Sequence, residues 1–404
     1  MINKTELILP GGDLERVKIA FLYGADAVYI GLNQYSLRKT EVRFDFKEVK
    51  EAIDLAHKQA KRLFVTFNIF AHNSQLDQLQ TDLSRIAEYG PDAFIISDPG
   101  LINLAQRVAP KIPIHLSTQA NTVNLEAIKF WQKQGLKRIV LGRELSLIEI
   151  KEIHKSVPDM ELEMFVHGAM CISYSGRCLL SSYMTGRKAN LGDCAQPCRW
   201  HYNVFLEEKM RPGELYPIEE SEEGTTIMSS KDLRLIRYIP EVLEAGVTGL
   251  KVEGRNKSEY YLATTGHAYR EALTLIENNS YQEKEKNRLE KELEKLSYRG
   301  YTTGFAFNEA KLGEISAGRH QNKAWAYLGI VVAKNNLIAV KNKIKLNDKI
   351  EVLTPDGNHQ DKIINITNLE NQNLPEINPG TINQKVFVEL LNKYPINSIL
   401  RKKL

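Results

Sequence analysis

The chain has 404 residues, 43% of them hydrophobic and 26% charged, with a net charge of +4. Those proportions suit a soluble globular protein with room for one large domain and a small one. No apolar run reaches the roughly 18 residues needed to span a membrane. The N-terminus, MINKTELILPGGD, lacks a charged stretch followed by an apolar one, so neither secretion nor a membrane is expected and the compartment expected is the cytoplasm.

The first 254 residues alternate short apolar, β-branched runs with amphipathic stretches. The runs are ELIL (6–9), AVYIGL (27–32), LFVTFNI (63–69), AFIIS (93–97), IHLST (114–118), RIVLG (138–142), ELEMFV (161–166) and VTGLKVEG (247–254). Helical periodicity fills most of the gaps, at 14–23, 46–60, 76–89, 125–134 and 147–154. Asp13 reads as an N-cap, and Gly24, Gly90 and Gly135 read as helix stops. Continuous apolar strands separated by helices mean a parallel sheet with helices outside. Eight such units predict an α/β fold of the (β/α)8 TIM-barrel type. A doubly wound open sheet is the alternative, but no G-x-G-x-x-G follows the first strand.

In such a barrel, function sits at the C-terminal ends of the strands. Polar residues cluster there: Asn68, Ser97, Asp98, Ser117, Thr118, Gln119, Asn121, Arg143, Glu144, His167, Lys251, Glu253 and Arg255. For any one of them, a helix cap or a satisfied rim group is the ordinary explanation. As a set directed at one rim, they predict a site. Arg143 and Arg255 would make a fork for carboxylate or phosphate.

Strand seven opens the longest excursion, 168–246, which holds all four cysteines, Cys171, Cys178, Cys194 and Cys198. The spacing is C-x6-C-x15-C-x3-C. Four thiolates suit zinc or an iron–sulfur cluster. The tight C-x2-C knuckle usual for structural zinc is missing, and iron–sulfur clusters accept looser spacings. Two disulfides would need an oxidising compartment. A nucleophilic Cys171 with His167 as its base would leave three cysteines unexplained. The acidic middle of the excursion, 207–224, reads as a flexible or hairpin insert. Lys231 and Asp232 in IMSSKDL are further candidates, whose ordinary reading is a helix start.

Beyond the barrel, 257–278 and 283–296 read as helices, the second with the alternating charge of a solvated face. From residue 326 short β-type runs separated by Asn, Asp, Gly and Pro predict a small all-β barrel. The expected organisation is therefore 1–280 for the barrel domain with its Cys-rich insertion, 281–325 for a connector, and 326–404 for the β-module. From Tyr327 onward 11 Lys and Arg face 7 Asp and Glu, so this module carries the whole net charge. That is a mild pointer to a polyanion such as RNA.

The string EMFVHGAMCISYSGRCLLSSYMTGRKANLGDCAQPCRW resembles the signature of the collagenase-like peptidases, peptidase family U thirty-two. Flanking strings extend the resemblance over residues 5 to about 308: ELILPGGDLERVKIAFLYGADAVYIG, STQANTVN, LGRELS, RPGELYPIEE, SSKDL, KVEGRNKS and RGYTTGF. The β-module is similar to that of the branch whose members hydroxylate tRNA. That resemblance implies synthesis of 5-hydroxyuridine at the tRNA wobble position, with prephenate as co-substrate. It also implies a [4Fe-4S] cluster on Cys171, Cys178, Cys194 and Cys198, and in some members a paralogous partner subunit. The alternative the family label implies is a peptidase. Against it, the chain lacks H-E-x-x-H and G-x-S-x-G, and four thiolates would leave a tetrahedral zinc no open position. The expected roles are carboxylate binding by Arg143 and Arg255, and orientation or proton transfer by Glu163, His167 and Glu253.

Overall fold

The computed structural model describes residues 5–32, 35, 44–170, 180–187, 194–200, 204–207, 209–210, 212–213, 215–218, 231–307, 324–380 and 384–404. Eight parallel strands form its frame: β1 (Glu6–Pro10), β2 (Ala27–Gly31), β3 (Arg62–Phe67), β4 (Ala93–Ile96), β5 (Ile114–Leu116), β6 (Arg138–Val140), β7 (Glu161–Ala169) and β8 (Val247–Val252). Each pairs with the next in chain order apart from the last, and β8 closes the ring by pairing with both β7 and β1. This is the (β/α)8 barrel expected from the eight apolar runs.

Alternation along the strands sorts two apolar layers. Leu7, Leu9, Val28, Ile30, Leu63, Val65, Phe94 and Ile96 face outward into the main core, under the helices. Ile8, Ala27, Tyr29, Phe64, Ala93 and Ile95 form a separate cluster inside the barrel.

The covering helices are α1 (Leu14–Leu22), α2 (Phe46–Lys58), α3 (Leu76–Tyr89), α4 (Pro99–Val108), α5 (Leu125–Lys133) and α6 (Leu147–Ser156). Asp13 caps α1 by accepting from the Arg16 amide, and Gly90 ends α3 in the left-handed region at φ 73°. Helix α4 is an addition to the sequence reading. Its Pro-Gly opening resembles a turn, but Pro is at home in a first helical turn. Asp98 accepts from the Leu101 amide at 3.0 Å, so it is a cap and not a rim group.

The excursion after β7 contributes a short helix, α7 (Leu180–Thr185), and a hairpin of Val204–Glu207 with Leu215–Ile218. Residues Asp232–Arg234 run antiparallel to the end of β7, pairing Asp232 with Ala169 and Arg234 with His167. The helix start that is the ordinary alternative for the candidates Lys231 and Asp232 is corrected: Asp232 opens a strand whose amides bond to neighbouring strands instead of needing a cap, and Lys231 precedes it. Three more helices follow, α8 (Ile239–Glu244), α9 (Glu259–Glu277) and α10 (Glu283–Leu293).

Residues 324–380 and 384–404 build a curled antiparallel sheet of seven strands, with Trp325–Ala333 between Ile399–Lys403 and Leu337–Val340 near its centre. One face encloses a core of its own around Leu328, Ile338, Val352, Val388 and Leu400. The other face, through Ile330, Ala339, Leu353 and Ile399, joins the barrel's core. The Tyr23 hydroxyl donates to the carbonyls of Leu353 and Asn397, both at 2.9 Å. Arg401 is fully buried at this junction, bonded to Glu351 and Asn358 of the sheet and to Glu292 of α10.

Candidate functional site

Barrel interiors are usually filled by bulky branched side chains. Here the lower half of the lumen is ionic. Arg138, on β6, is buried and donates to Glu6 Oε2 at 2.7 Å, Glu161 Oε2 at 2.7 Å and Glu163 Oε2 at 3.3 Å. Arg62 pairs with the other side of Glu6. Glu163, with no exposure, also accepts from Lys251 Nζ at 2.6 Å. An unpaired buried charge costs several kcal/mol, and this chain of alternating signs is how the four buried charges Glu6, Arg138, Glu163 and Lys251 fit in the lumen. His115, on β5, sits edge-on to Phe64 at 4.8 Å. Burial, together with Arg138, Lys251 and Arg62, holds its pKa well below the ordinary value, so it is neutral.

Above this column the mouth is cationic and aromatic. Lys251 Nζ lies 4.4 Å from the centre of the Tyr29 ring and 5.7 Å from that of Phe165. Burial lowers the Lys251 pKa against the pull of Glu163, and Arg138 and Arg255 add to the lowering. Arg143 covers Phe165 at 4.3 Å and donates to the carbonyl of Ala169, the last residue of β7, at 3.2 Å. Arg255 is buried, and its Nη1 reaches Thr66 Oγ1 on β3 at 3.4 Å. The loop that carries it rests on Gly12, where a Cβ would come within 2.2 Å of the Arg255 carbonyl oxygen. Arg143 stands over Phe165 after β6, and Arg255 follows β8, where its charge acts on Lys251.

The other expected rim groups are dispersed. Ser97 Oγ donates to the Asn68 carbonyl at 3.1 Å and Thr118 Oγ1 to the Leu141 carbonyl at 2.9 Å, which commits both to backbone. Glu253 is half-buried; its amide donates to the His167 carbonyl and its carbonyl accepts from the Tyr261 hydroxyl. Glu163 lies deep in the lumen and not at the rim.

His167 is turned away from the mouth. The β7–β8 register slips from Lys251↔Phe165 to Val252↔His167, a bulge that adds one residue at Val166. Phe165 points inward beside Lys251, and His167 points outward against Tyr261, Tyr269 and Tyr301, with ring centres 5.7 to 5.9 Å away. Burial pushes its pKa down to about 3, although Asp232 opposes this. The expectation that His167 shares the rim with the two arginines is corrected: it lines a separate narrow cleft with Asp232, Lys257, Tyr261, Tyr298 and Tyr301. Arg299 donates to Asp232 Oδ1 at the edge of this cleft and, against burial, keeps that carboxylate's pKa below the ordinary value.

Of the four cysteines, Cys171 and Cys178 lie outside the described residues. Cys194 and Cys198 are half-buried on one turn, with Gln196 in the left-handed region between them at φ 56°. The Gln196 amide donates to Cys194 Sγ at 3.4 Å, and the Ala195 amide donates to Ser181 Oγ of α7 at 2.9 Å. Backbone N–H donors to sulfur are a known feature of thiolate metal sites and tune their potential. Among the described residues, no three His, Cys, Asp or Glu side chains gather as metal ligands.

A closed (β/α)8 barrel with Arg143, Lys251 and Arg255 at the C-terminal ends of its strands has the architecture of the barrel enzymes. More narrowly, the chain belongs to peptidase family U32: that family matches residues 12–316, and its C-terminal domain matches residues 323–401. The chain is 40% identical over 421 residues to tRNA hydroxylation protein P of Escherichia coli (strain K12), covering 93% of this chain and 92% of that one. It is 39% identical over 364 residues to tRNA hydroxylation protein P1 of Bacillus subtilis (strain 168), covering 88% and 84%. It is also 33% identical over 360 residues to a 23S rRNA 5-hydroxycytidine synthase of Escherichia coli (strain K12), covering 87% of this chain and 53% of that one.

The sequence reading passed over Arg138, Glu6, Glu161 and His115, and treated Lys251 only as one rim group among many. Their signal was available: at each of these positions a charged or imidazole side chain interrupts or borders an apolar strand, with the parity that faces inward.

Proposed function

We propose that this protein is an RNA-modifying enzyme that hydroxylates the wobble uridine of tRNA to 5-hydroxyuridine in the cytoplasm. The observation that carries the reading is near-full-length similarity to proteins named for tRNA hydroxylation, at 40% identity over 93% of the chain. In this reading the mouth takes a small carboxylated metabolite, prephenate, between Arg143 and Arg255. Two guanidinium groups at strand ends, Arg143 over Phe165 and the buried Arg255, support it, because guanidinium forks suit carboxylates. The basic excess of the C-terminal module supports contact with the tRNA backbone.

Cys171, Cys178, Cys194 and Cys198 would hold a [4Fe-4S] cluster, which would supply electron transfer or substrate activation when bound. The half-buried turn at Cys194 and Cys198, with an amide already directed at sulfur, fits such a group. Iron, acid-labile sulfide and zinc measured on protein purified without oxygen test this directly. About four irons and four sulfides per chain are expected; one zinc with no sulfide would reduce the cysteines to a structural staple.

For the metabolite site, Arg255→Ala should raise the prephenate concentration needed for half-maximal hydroxylation roughly 10- to 100-fold, the loss of one charged hydrogen-bonding group. An unchanged requirement would remove Arg255 from the site.

The family's name favours a second reading, that of a peptidase. The two buried barrel histidines give it little support, since His167 faces tyrosines and His115 faces Phe64. Cleavage of denatured collagen that survives stringent repurification, and is lost in an active-site variant, would revive it.

A further inference from the structure

Lys251 is chemically distinct from the other groups of the mouth. It is the only amine among the described lumen side chains, 3% exposed, one residue before the end of β8. Its Nζ is 2.6 Å from Glu163 Oε1, and the other Glu163 oxygen is 3.3 Å from Arg138. Tyr29 and Phe165 wall it on two sides, and Arg143 lies across the Phe165 ring. A permanently charged Arg138 on the far side of Glu163 lets that carboxylate act as acid and base towards Lys251 without leaving an uncompensated charge.

We propose that Lys251 is an imine-forming lysine, and that the barrel mouth takes a 2-oxo acid which it anchors covalently through its ketone. This deepens the reading above, on which it rests for the presence of a carboxylated metabolite in the mouth. The step balances within the groups named. Lys251 first passes a proton to Glu163, giving a neutral amine and a carboxylic acid. The Nζ lone pair attacks the ketone carbon, and the carbonyl oxygen gathers the nitrogen's proton and one from Glu163 and departs as water. The product is a protonated imine beside an ionised Glu163. No oxidant or reductant is consumed. The cation–carboxylate pair that the lumen holds before the reaction is present again after it, so the buried ionic column keeps its charge balance.

Geometry favours this chemistry in three respects. Burial destabilises the ammonium form, which is how lysines become nucleophilic. The two rings stabilise a planar cation between them. Arg143, over the Phe165 ring that also walls Lys251, and Arg255, whose charge acts on Lys251, supply cations for the carboxylate of a 2-oxo acid. Arg138 and Glu163 act here as positioning and proton-transfer groups, with Lys251 as the residue that touches the substrate.

Reductive trapping tests this without tRNA and without a cluster. The full-length protein is incubated with phenylpyruvate and sodium cyanoborohydride, then analysed by intact mass and peptide mapping. The expected result is one phenylpyruvate-derived adduct per chain on the peptide containing Lys251. It should be absent in Lys251→Arg, which keeps the charge and the pair with Glu163. Glu163→Gln should slow trapping at least tenfold, and competition by prephenate should replace the phenylpyruvate adduct on Lys251 with its own. No adduct, or labelling spread over surface lysines with Lys251 unmodified, would overturn the proposal. The functional reading fails separately: trapping at Lys251 in a protein that never modifies tRNA would sink the tRNA assignment and leave the imine standing. A Lys251→Arg variant that still hydroxylates tRNA would do the reverse.

Discussion

Replacing Arg138 by Met is the sharpest perturbation of the ionic lumen. Arg138 is 2% exposed and serves three carboxylates. Glu161 is 38% exposed at its side chain, so water can take over there and little is lost. Glu6 keeps Arg62 and Glu163 keeps Lys251, so neither buried carboxylate is left entirely alone. The cost should therefore fall near the lower end of the roughly 3–5 kcal/mol range for breaking a buried ion network. At about 2 °C per kcal/mol for a chain of this size, the melting temperature should fall by about 6 °C. Differential scanning calorimetry near pH 7.5 measures it. The double variant Arg138→Met with Glu163→Met should recover part of the loss, because an apolar pair replaces a broken ionic one. A single-variant drop below about 1 °C, or a double variant less stable than both singles combined, would show that water fills the lumen and that the pairing argument is wrong.

Three other outcomes follow from the geometry. The folded His167 pKa, about 3, lies below its ordinary 6.5, so the unfolded chain takes up a proton that the folded chain refuses. That contribution to stability is complete above pH 6.5 and is lost as the pH falls towards 3; His167→Phe should flatten the decline of the urea midpoint between pH 7 and 4.5, with His115 maintaining a residual slope, and parallel declines would contradict this. Gly12→Ala would place a Cβ 2.2 Å from the Arg255 carbonyl oxygen, so it should weaken metabolite use and cost about 1–3 kcal/mol by overpacking; wild-type kinetics would mean that the Arg255 loop is free to move. Arg401→Met, at a fully buried position bridging sheet and α10, should cost about 3 kcal/mol and speed proteolytic release of residues 324–404; an unchanged digestion pattern would show that the apolar contacts alone dock the sheet.

The barrel was legible because parallel strands buried on both faces read as continuous apolar runs, and all eight runs became strands. Helix α4 was missed for a local reason, since Pro99-Gly100 resembles a turn when the Asp98 cap is not recognised. The mouth was legible in part. Arg143 and Arg255 lie where a strand-end argument places them, but His167 does not. A one-residue bulge at Val166 reverses the facing of everything after it, and periodicity carries no mark of where a ladder slips. The ionic lumen was passed over because ELIL, RIVLG and ELEMFV were read for their apolar content. The inward parity of Glu6, Arg138 and Glu161 could be read from the alternation, but only barrel closure brings them together with Glu163 in one lumen.

The central claim is tRNA hydroxylation, and the most direct test is mass spectrometry of nucleosides from total tRNA. A strain deleted for this gene, and for any paralogue with the same activity, is compared with the same strain carrying the wild-type gene or the Cys194→Ser variant. The account predicts that 5-hydroxyuridine and its derivatives vanish on deletion, return with the wild-type gene, and stay absent with Cys194→Ser. Unchanged 5-hydroxyuridine in the deletion strain would contradict it.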